Sequence, residues 1–258
     1  YTVIAISSHL LYSDCKDLSE NLEGLDIIIN LAGYPISGRW NKSRKIKIYN
    51  SRVIASKNLI NAINLLKVKP VHFISASAIG IYKDKVISDE YSKEFANNFL
   101  STLVQDWELE VSKIKDVNYT IIRIGVVLSR FGGAYRIIRR IYCLGLGGRF
   151  GKGDQGFSFV LMDDLVRIFA FVIEKPIYGI VNGVSPEPLT NHSFSSYLSK
   201  YLRKPAFLNI PAVAIKFLFN DGSTIFLEGQ NVIPKVLLDN NFIFIGDNLE
   251  NSLNILEK

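Results

Sequence analysis

The chain has 258 residues, of which 48% are hydrophobic and 21% charged. That composition excludes disordered and fibrous chains and suits one large folded domain with room for a small appendage. The net charge of +6 invites anionic partners, but the densest basic group (Lys42, Arg44, Lys45, Lys47) alternates with Ile46 and Ile48 as on a solvated helix face. No nucleic-acid motif accompanies it, so no nucleic-acid partner is expected.

Only Cys15 and Cys143 occur, without paired spacing or a neighbouring histidine, so neither a disulfide framework nor a metal site is expected. No apolar run reaches membrane-spanning length and no signal peptide is evident, so the expected setting is cytoplasmic, with no membrane partner.

The chain opens on Tyr1, and Thr2 to Ile6 reads at once as a buried strand. A domain rarely begins inside a strand, so the true N-terminus is expected to lie upstream. Asp26 to Leu31 is the next strand, an apolar β-branched run that ends in the small-residue turn Ala32-Gly33. In doubly wound folds ligands sit beyond the carboxyl ends of such strands. A helix is expected from about Lys42 to Leu66, with Ile46, Tyr49, Val53, Ile60 and Ile63 at three- and four-residue steps.

Pro70 introduces a strand at Val71 to Ser75. Phe95 to Ile114 carries Phe99, Leu103, Trp107, Val111 and Ile114 along one helical row, and Tyr119 to Ile124 is a strand closed by Gly125. Strands alternating with helices predict an α/β fold, a doubly wound parallel sheet covered on both faces. Gly33, Ser75 to Ser77, and Gly125 all follow strand ends and should line one crevice.

Beyond residue 130 the chain is glycine-rich, then helical at Leu165 to Ile173, with a short strand at Ile180 to Gly183. Thr190-Asn191 reads as an N-cap for a helix ending at Leu202. The last fifty residues read as a small lobe, so the expected division is 1–208 for the main domain and 209–258 for a C-terminal helical domain.

Ser75, Ser77 and Tyr82 are the candidates for chemistry. Serines at the end of a parallel strand can bond a substrate hydroxyl or carbonyl, or satisfy their own turn. Tyr82 can serve as an acid or as a buried structural phenol. Arg123, mid-strand, reads as an ion-pair partner, and His72 and His192 as structural.

Taken together, Asn30-Leu31-Ala32-Gly33 and the Ser75-Ala76-Ser77-Ala78 segment resemble the extended short-chain dehydrogenase/reductase superfamily. Pro35 to Trp40, Ser51-Arg52, Asp106-Trp107-Glu108, Arg123 to Leu128, Gly145 to Gly148, Pro186-Glu187-Pro188 and Glu228-Gly229-Gln230 narrow the resemblance. They point to an atypical subgroup, the NAD-dependent epimerase/dehydratase-like proteins described as nucleoside-diphosphate-sugar epimerases. Its members carry a short C-terminal domain, which residues from about 209 to 256 resemble.

The resemblance implies a Rossmann-type fold that binds NAD or NADP, with Ser8, Leu31, Ala32, Gly33, Arg52, Ser75, Ala76 and Gly125 at the cofactor. It implies Gln155, Ser158 and Asp164 at a small-molecule, nucleotide-sugar substrate.

Three departures qualify it. Such proteins open on a strand and a Gly-x-x-Gly-x-x-Gly turn, which this chain does not contain. It aligns from their second strand, so about thirty residues, one strand and helix, are expected to be missing, leaving an open edge beside Asp26 to Leu31. Where the superfamily carries Tyr-x-x-x-Lys, this chain has Leu100 and Val104, and Leu161 stands where a histidine is usual. The expected function is an NAD(P)-dependent epimerase or oxidoreductase. The alternative is a non-catalytic dinucleotide- or partner-binding module.

Overall fold

A computed structural model describes residues 1–257. Residues 1–7 form no strand. Thr2 to Ile6 has the composition of a buried strand, but a strand exists only where a neighbour accepts its backbone bonds. Here Val3 stands 88% exposed. The segment instead leads through a short 3-10 turn (Leu10–Tyr12) into helix α1 (Cys15–Leu22), whose first turn is capped by the Asp14 carboxylate accepting from the Lys16 amide.

Strand β1 (Ile27–Asn30) follows. The long helix expected next is one continuous rod with a local defect. Helix α2 (Lys42–Tyr49), capped by Asn41, passes through a π-helical turn at Asn50–Ile54 into α3 (Ala55–Leu65). Nothing in the residues 50–54 announces that turn, because it contains no proline or glycine. Ile46, counted on the buried row, is half exposed.

The central parallel sheet continues with β2 (His72–Ala78). After the two-residue β3 (Ile87–Ser88) comes α4 (Phe99–Val111), capped by Asn98, and then β4 (Asn118–Ile124) and β5 (Val126–Leu128). The second half holds α5 (Gly133–Cys143), β6 (Gly148–Phe150), β7 (Phe159–Leu161), α6 (Met162–Glu174), β8 (Gly179–Gly183) and α7 (Asn191–Leu202). Thr190 does cap α7, its hydroxyl accepting from the Ser193 amide at 3.1 Å. The C-terminal part adds β9 (Leu208–Ile210), α8 (Ala212–Phe219), α9 (Thr224–Leu227), β10 (Asn231–Val232), α10 (Lys235–Asp239) and α11 (Leu249–Leu256).

Four strands form the main sheet in the order β1-β2-β4-β8, all parallel. Alternation along the strands feeds two cores on opposite faces. Phe73 and Ile121 point into one with Leu18, Ile60 and Trp107; Ile74 and Ile122 point into the other with Ile168, Val172 and Val181. Each such buried aliphatic or aromatic side chain contributes about 1.5–3 kcal/mol. This is the Rossmann-type α/β arrangement expected. The outer side of β1 pairs with no strand among the described residues, and Ile29 there is 43% exposed.

The C-terminal part is woven into the rest. Strand β9 pairs with β6 and β10 with β3. Gly156 and Gly229 let two backbones touch, since a Cβ on Gly229 would lie 1.9 Å from the Gly156 carbonyl oxygen.

Candidate functional site

The turn after β1 is held largely by side chains of the helix that follows it. The Asn30 side chain donates to Ser56 Oγ at 3.1 Å and accepts from the Ala32 amide at 3.1 Å. The Tyr34 amide donates to Ser51 Oγ, and Arg52 donates through Nη1 to the Tyr34 carbonyl at 3.0 Å. Both partners lie on the π-helical turn, so that defect presents Ser51 and Arg52 to the loop; π-turns of this kind recur at functional sites. Register places Asn30 beside Ser75 on β2.

Arg52 lies flat against Gly33: a Cβ there would meet Nη2 at 3.0 Å. The guanidinium also lies over the Trp107 ring, 5.6 Å from its centroid. Arg52 is half-buried, and burial pushes its pKa down from the ordinary arginine value. It has no carboxylate within salt-bridge reach among the described residues. The Trp107 indole N–H beneath it is buried and makes no hydrogen bond. Buried polar groups normally find a partner, so this corner holds a cation without a carboxylate, a buried donor without an acceptor, and a turn whose Gly33 carries no side chain.

Behind the sheet's carboxyl end lies a second polar group. Ser77 donates to Glu108 Oε1 at 2.6 Å, and Arg123 grips the same carboxylate through Nε (2.8 Å) and Nη2 (2.6 Å). Arg123 Nη1 donates to the Tyr82 hydroxyl, which donates to Asn182 Oδ1 at 2.9 Å. The bidentate contact to Glu108 raises the Arg123 pKa against the opposing cost of burial. Tyr82 is fully buried, and desolvation outweighs the Arg123 charge to push its phenol above the ordinary range. The network continues to the C-terminal part: Asn182 Nδ2 donates to the Ile233 carbonyl, and Glu90 accepts from the Asn182 and Lys235 amides. Sequence reading anticipated Arg123 as an ion-pair partner; it missed Glu90 and Asn182, which no motif marks.

The remaining candidates fall in three places. Ser75 is buried and donates to the Ala76 carbonyl, while Ala76 packs in the core under α3 and α4. Gly125 is hemmed in: a Cβ would lie 2.7 Å from the Ser158 carbonyl oxygen. Leu31 is exposed at the β1 turn, and Ser8 is exposed at the start of the first 3-10 turn, joined to none of the others by a hydrogen bond. Gln155, Ser158 and Asp164 each address the C-terminal backbone. Gln155 donates to the Phe226 carbonyl, Ser158 donates to the Gln230 carbonyl and accepts from the Val232 amide, and Asp164 accepts from the Ile245 and Gly246 amides.

A cleft of about 740 Å³ opens between the sheet's carboxyl end and the C-terminal part. Its walls include Leu100, Phe99, Gln155, Phe150 and Leu227. Lys45 is paired with Asp221, Lys85 with Asp154 at 2.9 Å, and Asn98 with Glu228. Lys152 and Lys216 also line it without an ion-pair partner among the described residues. Leu100 faces the space from α4, so the cleft lacks a proton donor at that position.

Comparison with known proteins agrees with this geometry. The family model described as "NAD dependent epimerase/dehydratase family" matches residues 8–183, and a domain of unknown function, DUF1731, matches residues 210–256. The chain is 35% identical over 83% of its length to the chloroplastic "Epimerase family protein SDR39U1 homolog" of Arabidopsis thaliana, covering 63% of that protein. It is 31% identical to a Staphylococcus epidermidis epimerase family protein over 91% of its length, covering 80% of the relative.

Among solved structures, human epimerase family protein SDR39U1 (isoform 2), determined with NADPH, superposes with a TM-score of 0.88 at 28% identity, covering 94% of this chain and 85% of that one. A nucleoside-diphosphate sugar epimerase from Corynebacterium glutamicum gives 0.74 at 27% identity over 92% of this chain and 47% of its own. On the extent of these matches and the fold that carries them, the chain belongs to the NAD dependent epimerase/dehydratase family.

Proposed function

We propose that this protein binds a nicotinamide dinucleotide at the β1 turn and acts as an epimerase-like oxidoreductase on a small phosphorylated molecule held in the cleft. The observation that carries the reading is the corner made by Gly33, Arg52 and Trp107. A glycine in the turn and, against it, a guanidinium without a carboxylate fit an anionic ligand. The NADPH in the human relative and the nucleotide-sugar epimerase among the neighbours support the ligand class.

Ala32, Gly33, Arg52 and Ser75 would hold the cofactor, with Leu31 and Ala76 shaping the turn, and the cofactor would supply the hydride chemistry. Lys152 and Lys216 would attract the substrate's phosphate groups. Ser77 and Tyr82, tied into the Glu108–Arg123 network, would fix the sheet's carboxyl end against the cleft. Gln155, Ser158 and Asp164 would close the cleft's far wall by holding the C-terminal backbone.

A second reading has its own support. Leu100 in the cleft wall cannot transfer a proton, and the Tyr82 hydroxyl is sealed from it, as a dinucleotide-binding module without turnover would show. Fluorescence titration with NADPH and NADH tests the first step; absence of binding at millimolar cofactor overturns both readings. Incubation of UDP-glucose with NAD separates them, with chromatography of the sugar for an epimer and absorbance at 340 nm for net oxidation. Turnover supports the oxidoreductase, and tight cofactor binding without turnover across nucleotide sugars supports the module.

A further inference from the structure

A second concavity lies away from the cleft and shares no lining residue with it. It measures about 300 Å³ and is walled by Arg130, Arg136, Arg139, Arg140, Leu256 and Glu257. Three of these arginines are on α5. Its buried side is anchored by Tyr135 and Tyr142, which turns Arg136 and Arg140 outward. Glu257 is fully engaged. Arg139 donates to both its oxygens (2.7 Å from Nε, 2.7 Å from Nη2), and the Tyr135 hydroxyl donates at 2.6 Å. That pair neutralises itself.

Arg130, Arg136 and Arg140 are left over, with no carboxylate in salt-bridge reach among the described residues. No Asp or Glu occurs between Asp116 and Asp154 to supply one. Arg136 and Arg140 sit four residues apart on one helix, an arrangement that costs a few tenths of a kcal/mol in like-charge repulsion. Converging guanidiniums around a concave space match the oxygens of a phosphate group. Beside them are exposed apolar side chains, Ile137, Ile141 and Leu144 at four- and three-residue steps, with Phe131 just before the helix.

We propose that this arginine-walled cavity is a binding site for a phosphate ester, with Arg130, Arg136 and Arg140 as its cationic contacts and the exposed apolar side chains beside them receiving an apolar substituent. The ester can come from a soluble phosphate compound or from a phospholipid headgroup at a membrane surface.

The test uses the full chain. Calorimetric titration with inorganic phosphate and glycerol 3-phosphate probes the soluble source. Co-sedimentation with vesicles of phosphatidylglycerol in phosphatidylcholine, against phosphatidylcholine alone, probes the lipid source. Binding of either is expected, weakened by added salt and reduced tenfold or more in Arg136→Gln/Arg140→Gln, whose side chains are exposed and whose fold circular dichroism can check. Ile137→Ser/Ile141→Ser should lose vesicles while keeping soluble phosphate if the source is lipid. The proposal is overturned if the native chain binds none of these probes, or if the arginine variant binds as well as native. Because the dinucleotide corner is untouched, NADPH titration of the same variant keeps this outcome separate from the proposed function.

Discussion

Arg52 lies face-on to Gly33, its guanidinium carbon 3.1 Å from where a Cβ would stand. The contact depends on the π-helical turn, which swings residue 52 toward the β1 loop. Arg52→Ala should therefore weaken NADPH binding by about tenfold, the loss of one charged hydrogen bond of about 1.5 kcal/mol. Arg52→Lys should keep part of the affinity, since it retains charge without the planar fork. Fluorescence titration of the two variants checks the order; equal affinities across native and both variants would remove Arg52 from the site.

Glu108 and Arg123 form a buried bidentate pair with side chains 12% and 3% exposed. Removing one partner strands the other charge. Glu108→Leu should cost about 3–5 kcal/mol in denaturant unfolding, whereas the double variant Glu108→Leu/Arg123→Met should cost much less. A double variant as unstable as the single one would show that packing, not charge, sets the penalty.

Ser158 bonds the Gln230 carbonyl and the Val232 amide with one hydroxyl. Ser158→Ala leaves the buried Val232 amide and the part-buried Gln230 carbonyl unpaired, at about 1–3 kcal/mol. Limited proteolysis should then cut faster between residues 226 and 234. An unchanged cleavage rate would mean that the Gly156–Gly229 contact alone holds the segment.

His72 is buried, its Nε2 2.8 Å from Thr120 Oγ1, and burial pushes its pKa below the ordinary 6.5. A depressed folded pKa means the unfolded chain takes up the proton first. The His72 contribution to stability is thus present above pH 6.5 and is lost as pH falls from there through the folded value. His72→Gln should flatten the stability profile over that window; a slope identical to the native one would assign the acid sensitivity elsewhere.

The strands and helices that pack on both sides were legible because their apolar spacing is their reason for being there. Phe73 and Ile74, or Ile121 and Ile122, could only alternate between two cores. Thr2 to Ile6 misled for the converse reason: its pattern suits a strand, but pairing is a property of two segments. The π-turn at Asn50–Ile54 left no mark, since its residues suit an ordinary helix equally well. At the site, Ser77, Tyr82 and Arg123 could be named one by one from their positions in or after strands. Their connection through Glu108, and onward to Asn182 and Glu90, joins residues up to a hundred positions apart and has no local signature.

Strand β1 offers a last consequence. Its outer backbone is unclaimed by any strand among the described residues, and Ile29 and Leu31 beside it are 43% and 65% exposed. An apolar edge with free amides and carbonyls is a template that recruits any extended peptide within reach. Any parallel strand offered to that edge would cover both side chains and extend the sheet by one.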